Sequence, residues 1–282
     1  MSSFRRRDIL TGAGAAATLA MTGIARANSS IVDEIKARGT LTAGTEAAFE
    51  PFEFLREGEI VGSGRDLLVG VAEHLNVKLD QLNLPFQGLL PGLMAKKFDL
   101  VATSVGINAD RVKRFGFTRP VGAVNVQLVA RHGEDKVRST DDLNGKIVGT
   151  QLGSAVQPQA VNLDKELKAK GGAGFAELKL FQTYADAAVA LTNKQVDAIM
   201  IPSNVTDVLS KAQPNTLQVV SVTGDTRYLC WVTRPTDLQL RDYINDVIAE
   251  MTANGKMAAI QTRWFGRTFD LPSKGYLPPE AI

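Results

Sequence analysis

Leu93-Met94-Ala95-Lys96-Lys97-Phe98-Asp99-Leu100-Val101 and Leu191-Thr192-Asn193-Lys194-Gln195-Val196-Asp197-Ala198-Ile199 are two versions of one pattern. Each leaves a helix on apolar residues, turns tightly through a basic residue and opens a buried strand with an aspartate. Leu89, Leu90, Leu93 and Met94 share a helix face before the first, and Ala187, Ala188 and Leu191 before the second. Further out, residues 41–45, 77–84 and 98–103 read as strands, with Leu67, Leu68, Val71, Ala72 and Leu75 marking a helix between the first two. Residues 146–150, 177–181 and 197–201 read as strands in the second half, with a helical stretch over 155–170. Strand, helix and strand at this rhythm predict an α/β fold, a parallel sheet with helices packed on it. The repeat predicts two similar lobes. No Pro/Gly/Ser-rich linker separates them, which favours short crossing strands over a tether. Pro202 is placed to open a helix. The stripe Leu240, Tyr243, Ile244, Val247, Ile248 and Met251 predicts a long helix over 238–253, ended by Asn254-Gly255 and followed by a shorter one reaching Trp264. The Pro-rich end, 272–282, is expected to pack loosely.

The first residues read as an address. Arg5, Arg6 and Arg7 precede a mild apolar run over 12–24 that ends in Ala25-Arg26-Ala27, a small-x-small cleavage site. Arg6-Arg7-x-Ile9-Leu10 resembles the twin-arginine kind of signal. Residues 1–27 are therefore expected to be a signal peptide cleaved near Ala27, and the protein to be exported to the periplasm. No later stretch has about 18 uninterrupted apolar residues, so the exported chain is expected to be soluble. About 255 of the 282 residues remain, enough for one large or two ordinary domains. A formal charge of +2 that includes the signal's arginines leaves the rest near neutral, against a nucleic-acid partner. Cys230 is the sole cysteine, in the apolar run 228–232, and reads as a buried structural residue.

In open α/β sheets ligands sit beyond the carboxyl ends of the strands. Beyond the strand over 98–103 lies Thr103-Ser104-Val105-Gly106-Ile107-Asn108-Ala109-Asp110-Arg111. Its small hydroxyls can meet a ligand, and the Arg111 guanidinium can grip a carboxylate bidentately. On spacing alone Arg111 reads equally well as a surface arginine at a helix start.

"GTEAAFEPFEF" (44–54), "GEIVGSGRDLLVGVAEHL" (58–75), "LPGLMAKKFDLVATSVGINADRVKRFGFTRP" (90–120), "VGTQLGSA" (148–155) and "MTANGKMAAIQTRWFG" (251–266) together resemble the family 3 extracellular solute-binding proteins. These are periplasmic receptors of polar amino-acid ABC importers. The resemblance implies the two-lobed periplasmic-binding-protein fold of type II, with two crossing strands as hinge and the ligand between the lobes. It implies a first lobe of 28–124 with 229–268, a second of 125–228 and a tail of 269–282, with hinge strands near 122–126 and 225–229. It implies that Phe49 and Phe86 sandwich the ligand side chain, that Glu46 reads a polar or basic group, and that Thr103 and Ser104 meet the ligand's α-groups. It further implies that Arg111 clamps the α-carboxylate and that Gln151 and Ser154 contribute from the second lobe at a helix N-terminus. A membrane permease is the implied partner, the protein a monomer, and no cofactor or metal is called for.

Three departures stand against the family pattern. Pro202 occupies the place of a carboxylate that pairs with the ligand's α-ammonium. Gly106 and Ala155 stand where hydroxyls are common, and of "GFDVDL" only Asp66 survives, read as a helix N-cap. A buried ammonium needs a partner, so either Glu46 or Asp225 compensates or the ligand has no α-ammonium. Asp99 and Asp197 read as structural, and Phe52, Phe54, Phe115, Phe117, Trp231 and Trp264 as packing residues. Transport receptor is the favoured function. An enzyme on the same fold, of the cyclohexadienyl dehydratase type, would have to rely on Glu46 as its acid or base. A soluble sensor subunit is the third reading.

Overall fold

The computed structural model describes residues 30–282; the signal-peptide reading of 1–27 lies outside the described residues. Helix α1 (Ile31–Arg38) leads into β1 (Thr40–Thr45), then a small antiparallel ribbon, β2 (Ala48–Phe49), β3 (Glu53–Arg56) and β4 (Glu59–Val61). The first lobe continues with α2 (Ser63–Leu75), β5 (Lys78–Asn83), α3 (Phe86–Met94), β6 (Leu100–Gly106) and α4 (Ala109–Val112). β7 (Gly116–Arg131) crosses to the second lobe, built from β8 (Ile147–Gln151), α5 (Val156–Ala169), β9 (Glu177–Phe181), α6 (Tyr184–Thr192), β10 (Ala198–Pro202) and α7 (Ser203–Ala212). β11 (Leu217–Thr233) returns, and α8 (Leu238–Ala253) and α9 (Lys256–Phe265) close the first lobe.

One eight-stranded sheet runs through the molecule in the order β5-β1-β6-β11-β7-β10-β8-β9. Pairing is parallel within each lobe, as the strand–helix rhythm predicts, and antiparallel where β7 and β11 meet each other and their neighbours. The two crossing strands are therefore 16 and 17 residues long and supply the middle of the sheet. The expectation of short crossing strands is corrected here: Pro120 and Gly122 interrupt the β7 sequence, but register shifts in β11 absorb the irregularity.

The internal repeat is structural. Lys96 and Lys194 both take left-handed backbone conformations. Asp99 accepts from the Thr42 amide and Asp197 from the Ile147 amide, each at 2.8 Å. Each aspartate thus ties the start of its strand to the neighbouring parallel strand. Alternation along β6 and β11 puts Leu100, Ala102 and Trp231 into a core under α2 and α8, and Val101, Val105, Cys230 and Val232 into a core under α3. A third core, around Leu128, Val148, Leu191 and Ile199, fills the second lobe.

Asp66 does not cap α2. That helix starts at Ser63, and Asp66 lies inside the first turn, where it accepts from Trp264 Nε1 at 2.7 Å and pairs with Arg263. The C-terminal segment is also tighter than expected: Tyr276, Leu277 and Ala281 pack on the α3-side core, and the Ile282 amide donates to the Val112 carbonyl at 3.1 Å. Its apolar side chains outweigh its proline content. Among the described residues, no helix is long and apolar enough to cross a membrane.

Gly62 joins the ribbon to α2 at φ 128°, and a Cβ there would stand 2.1 Å from the Phe52 carbonyl oxygen. Neither the backbone angle nor the space admits a side chain. Gly62→Ala should destabilise the fold by about 2–4 kcal/mol in urea titration; an unchanged midpoint would mean that the ribbon moves away at little cost.

Candidate functional site

The carboxyl ends of β1, β6, β8 and β10 converge where the lobes meet. The Thr103 and Ser104 positions differ from the sequence reading in one respect. β6 does not stop at residue 103 but runs to Gly106, because β11 pairs with its extension, Cys230 opposite Val105 and Leu229 opposite Gly106. The two hydroxyl residues are therefore fixed within a strand and are not on a loop.

A tight cavity of about 30 Å³ lies between the lobes. Glu46, Phe49, Phe86, Thr103 and Ser104 line it from the first lobe, and Gln151 and Ser154 from the second. Val124, Val126 and Leu229 line it from the crossing strands, and Tyr184, Val156 and Pro202 complete its apolar wall. Phe49 and Tyr184 approach across the cleft with ring centroids 6.1 Å apart. Arg227, on β11, is the cation in the lining.

Glu46 and Gln151 connect the lobes directly: Gln151 Nε2 donates to Glu46 Oε1 at 2.6 Å and to the Gln182 carbonyl at 3.0 Å. Burial pushes the Glu46 carboxyl up to about 7, with hydrogen bonds from Gln151 and the Phe86 amide pulling the other way. Ser154 accepts from the amides of Val156 and Gln157 and donates to the Gln151 carbonyl, so its hydroxyl organises the start of α5.

Arg111 is buried but is not part of the cavity lining. Its Nη1 donates to the Gly106 carbonyl at 3.0 Å and its Nη2 to the Gly153 carbonyl, one acceptor from each lobe, and its guanidinium lies 5.6 Å from the Phe86 ring centre. Burial lowers its pKa to about 10, which leaves it charged at neutral pH.

The departures fall into place. Gly106 and Ala155 face each other: a Cβ on Gly106 would stand 2.8 Å from the Ala155 Cβ. The two small residues let the lobes approach closely where hydroxyl residues would be larger. Pro202 ends β10 and presents its ring to the cavity. Asp225 is exposed and outside the lining, and Glu46 is the carboxylate within it.

Sequence reasoning missed Tyr184, Arg227 and Glu53. Glu53 is completely buried; its Oε2 accepts from the Ser104 amide and its Oε1 from the Ser104 hydroxyl, both at 3.2 Å. It sits one layer behind the cavity wall and holds Ser104. Burial raises its pKa to about 8, and Glu46 nearby adds to the rise. The alternation of "PFEF" was the available signal, since it sets Glu53 opposite in phase to Phe52 and Phe54.

The bacterial extracellular solute-binding proteins, family 3, match this chain over residues 41–267. The chain belongs to that family. Among relatives of this family 3 protein is the L-cystine-binding protein TcyJ of Escherichia coli K12, 27% identical over 263 residues, which covers 92% of this chain and 96% of TcyJ. An ancestral arginine-binding protein solved with arginine has a TM-score of 0.74 or better, namely 0.75, at 32% identity, covering 81% of this chain and 99% of that one. An ancestral amino-acid-binding protein described as a precursor of cyclohexadienyl dehydratase has a TM-score of 0.74 at 28% identity, covering 84% of this chain and all of its own. The family 3 chain has the two-lobed periplasmic-binding-protein fold that these structures share. Among the described residues, no group of three or more His, Cys, Asp and Glu side chains is placed to hold a metal ion.

Proposed function

We propose that this chain is the periplasmic substrate-binding protein of an amino-acid ABC importer. It captures one small carboxylate-bearing solute between its lobes and presents the closed form to a membrane permease. The observation that carries this reading is the pair of interlobe links around one cavity, Glu46 to Gln151 and Arg111 to Gly153. Closure joins those groups, so a ligand that favours the closed form shifts the lobes toward it. The binding-protein names of the relatives support the reading. In it, the lobes divide as 28–124 with 229–268 and 125–228, and the hinge lies near 122–126 and 225–229. Glu46 faces the ligand's ammonium, Phe49 and Phe86 hold its side chain, Thr103, Ser104, Gln151 and Ser154 meet its polar groups, and Arg111 attracts its carboxylate as it latches the lobes. The protein acts as an exported monomer and without catalysis.

The test is a thermal-shift screen of protein stripped by unfolding and refolding, with α-amino acids paired against their keto, hydroxy and des-amino counterparts at pH 6 and pH 8. A ligand that binds only the folded state raises the melting temperature. Glu46 ionises near pH 7. An ammonium needs the carboxylate form, so α-amino acids should bind more tightly at pH 8 than at pH 6, by up to about tenfold per pH unit below the pKa. Their des-amino counterparts should not gain. If no acid of either kind shifts the melting temperature, the receptor reading falls. Turnover of a prephenate-like substrate would instead favour the enzyme, with Glu46 as its acid.

A further inference from the structure

β11 carries an irregularity at the cleft. Thr223 pairs with Val126 and Arg227 with Val124, so residues 224–226 stand opposite Asn125 alone. Gly224 turns the chain there at φ 73°, and the Thr226 hydroxyl donates to Asn125 Oδ1 at 3.0 Å to close the bulge. Extra residues in one strand bend it and re-aim the side chains that follow. The side chain that follows is Arg227, and it reaches the cavity. Its Nη2 donates to Gln159 Oε1 at 2.8 Å, and Gln159 is held in turn by the Thr223 carbonyl at 2.9 Å. The guanidinium is thus oriented by a neutral amide, and no carboxylate of the described residues lies within ion-pair distance of it.

Arg227 and Ala155 line both the inner cavity and a larger outer groove of about 530 Å³, bounded by Asn108, Gln159 and Thr223. Arg227 therefore stands at the boundary between the enclosed end of the cleft and its mouth. Arg227 is the cation and Glu46, with its pKa near 7, the one carboxyl in the lining; just behind it stand Arg111, charged, and Glu53, whose pKa near 8 keeps it mostly neutral at pH 7. With Pro202 in place of a second carboxylate, the cleft is net positive in either state of Glu46. A zwitterion leaves that excess uncompensated and a cationic ligand adds to it. An anionic ligand neutralises it.

We infer that Arg227 is the specificity-determining residue of the cleft and that the ligand is a small acid with two anionic groups, the second of which pairs with Arg227. The inference rests on the receptor reading above and narrows its substrate class, away from the arginine and cystine named for relatives.

Calorimetry tests it on the refolded protein. One set of probes carries two anionic groups: glutamate, aspartate, glutarate and 2-oxoglutarate. The other comprises glutamine, cystine and arginine. Each is titrated into the wild type, Arg227→Met, which keeps the apolar stem, and Arg227→Lys, which keeps the charge. A member of the first set should bind most tightly. Arg227→Met should weaken it by about 30-fold, as expected for a lost charge-assisted hydrogen-bonded pair, with Arg227→Lys in between. Equal affinity in wild type and Arg227→Met overturns the role of Arg227, and Arg227→Lys reads the same point should the Met variant not fold. Binding confined to the second set overturns the substrate class while the receptor reading stands. If nothing in either set binds, both fall.

Discussion

Arg111→Ala should lower affinity for the bound acid about 100-fold or more, the largest effect expected of any single side chain here. Hydrogen bonds from a charged donor contribute about 1.5–3 kcal/mol each, and every 1.4 kcal/mol is a factor of ten. Arg111 makes two such bonds in the closed form, to Gly106 in one lobe and Gly153 in the other. Its removal therefore acts twice: it takes positive charge from beside the cavity, and it leaves the Gly153 carbonyl of the other lobe without its donor only when the lobes are shut, whereas the Gly106 bond lies within the first lobe and is lost in either state. The second effect falls on the closed state alone, so the equilibrium moves toward open molecules even before ligand arrives. Arg111→Lys separates the two, because a lysine keeps the charge but cannot bridge both carbonyls with a planar fork. Calorimetry gives the affinities, and small-angle scattering of the ligand-saturated variants gives the degree of closure. Near-unchanged affinity in Arg111→Ala would remove this residue from both ligand attraction and closure.

Glu53→Gln should change how stability depends on pH while leaving the fold intact. The Glu53 carboxyl has a folded pKa of about 8, against an ordinary value of 4.5. Between those values the native protein keeps a proton that the unfolded chain has released. Fewer protons on the unfolded state means that stability falls as pH rises, by up to about 1.4 kcal/mol per unit from this one group. Below pH 4.5 both states hold the proton, and above pH 8 neither does, so the contribution levels off at both ends. Glutamine mimics the protonated form: it can accept from the Ser104 amide and donate to the Ser104 hydroxyl. The variant should therefore match the wild type near pH 4.5 and exceed it at pH 8 by about 4 kcal/mol. Part of the slope remains, since Glu46 follows the same rule up to about pH 7. Urea titrations from pH 4.5 to 8.5 give the comparison. Parallel curves for the two proteins would mean that Glu53 ionises normally.

The fold was legible because its signals are local. The paired lysine turns and strand-opening aspartates recur at matching places, and a reader needs only nine residues to see each. Glu46, Phe49, Phe86, Thr103, Ser104, Gln151 and Ser154 were reachable by resemblance and do meet around one cavity. What stayed hidden depends on pairing between distant segments. β6 reaches Gly106 only because β11 lies beside it. Arg227 faces the cleft only because a bulge opposite Asn125 turns it inward. Tyr184 reads as the opening residue of an apolar helix until Phe49 is set across from it. Glu53 looks like the outward residue of a ribbon strand, and its burial follows from the start of α2 lying over it: a Cβ on Gly64 would stand 1.9 Å from its Oε1. Gly106 and Ala155 look like lost hydroxyls when read one at a time and like a single close approach once the lobes are facing.

The far ends of β7 and β11 pair with each other, Arg131 beside Leu217. The intervening chain leaves the long strands and rejoins them at adjoining points. Everything from 132 to 216 is thus a closed excursion, inserted into the first lobe as a cassette whose two ends nearly touch. Such a segment can be lengthened, reshaped or exchanged for another without rethreading the rest of the molecule. One wall of the cleft is in that sense replaceable and the other is not: Gln151, Ser154, Tyr184 and Pro202 travel with the cassette, while Glu46, Arg111 and Arg227 stay behind.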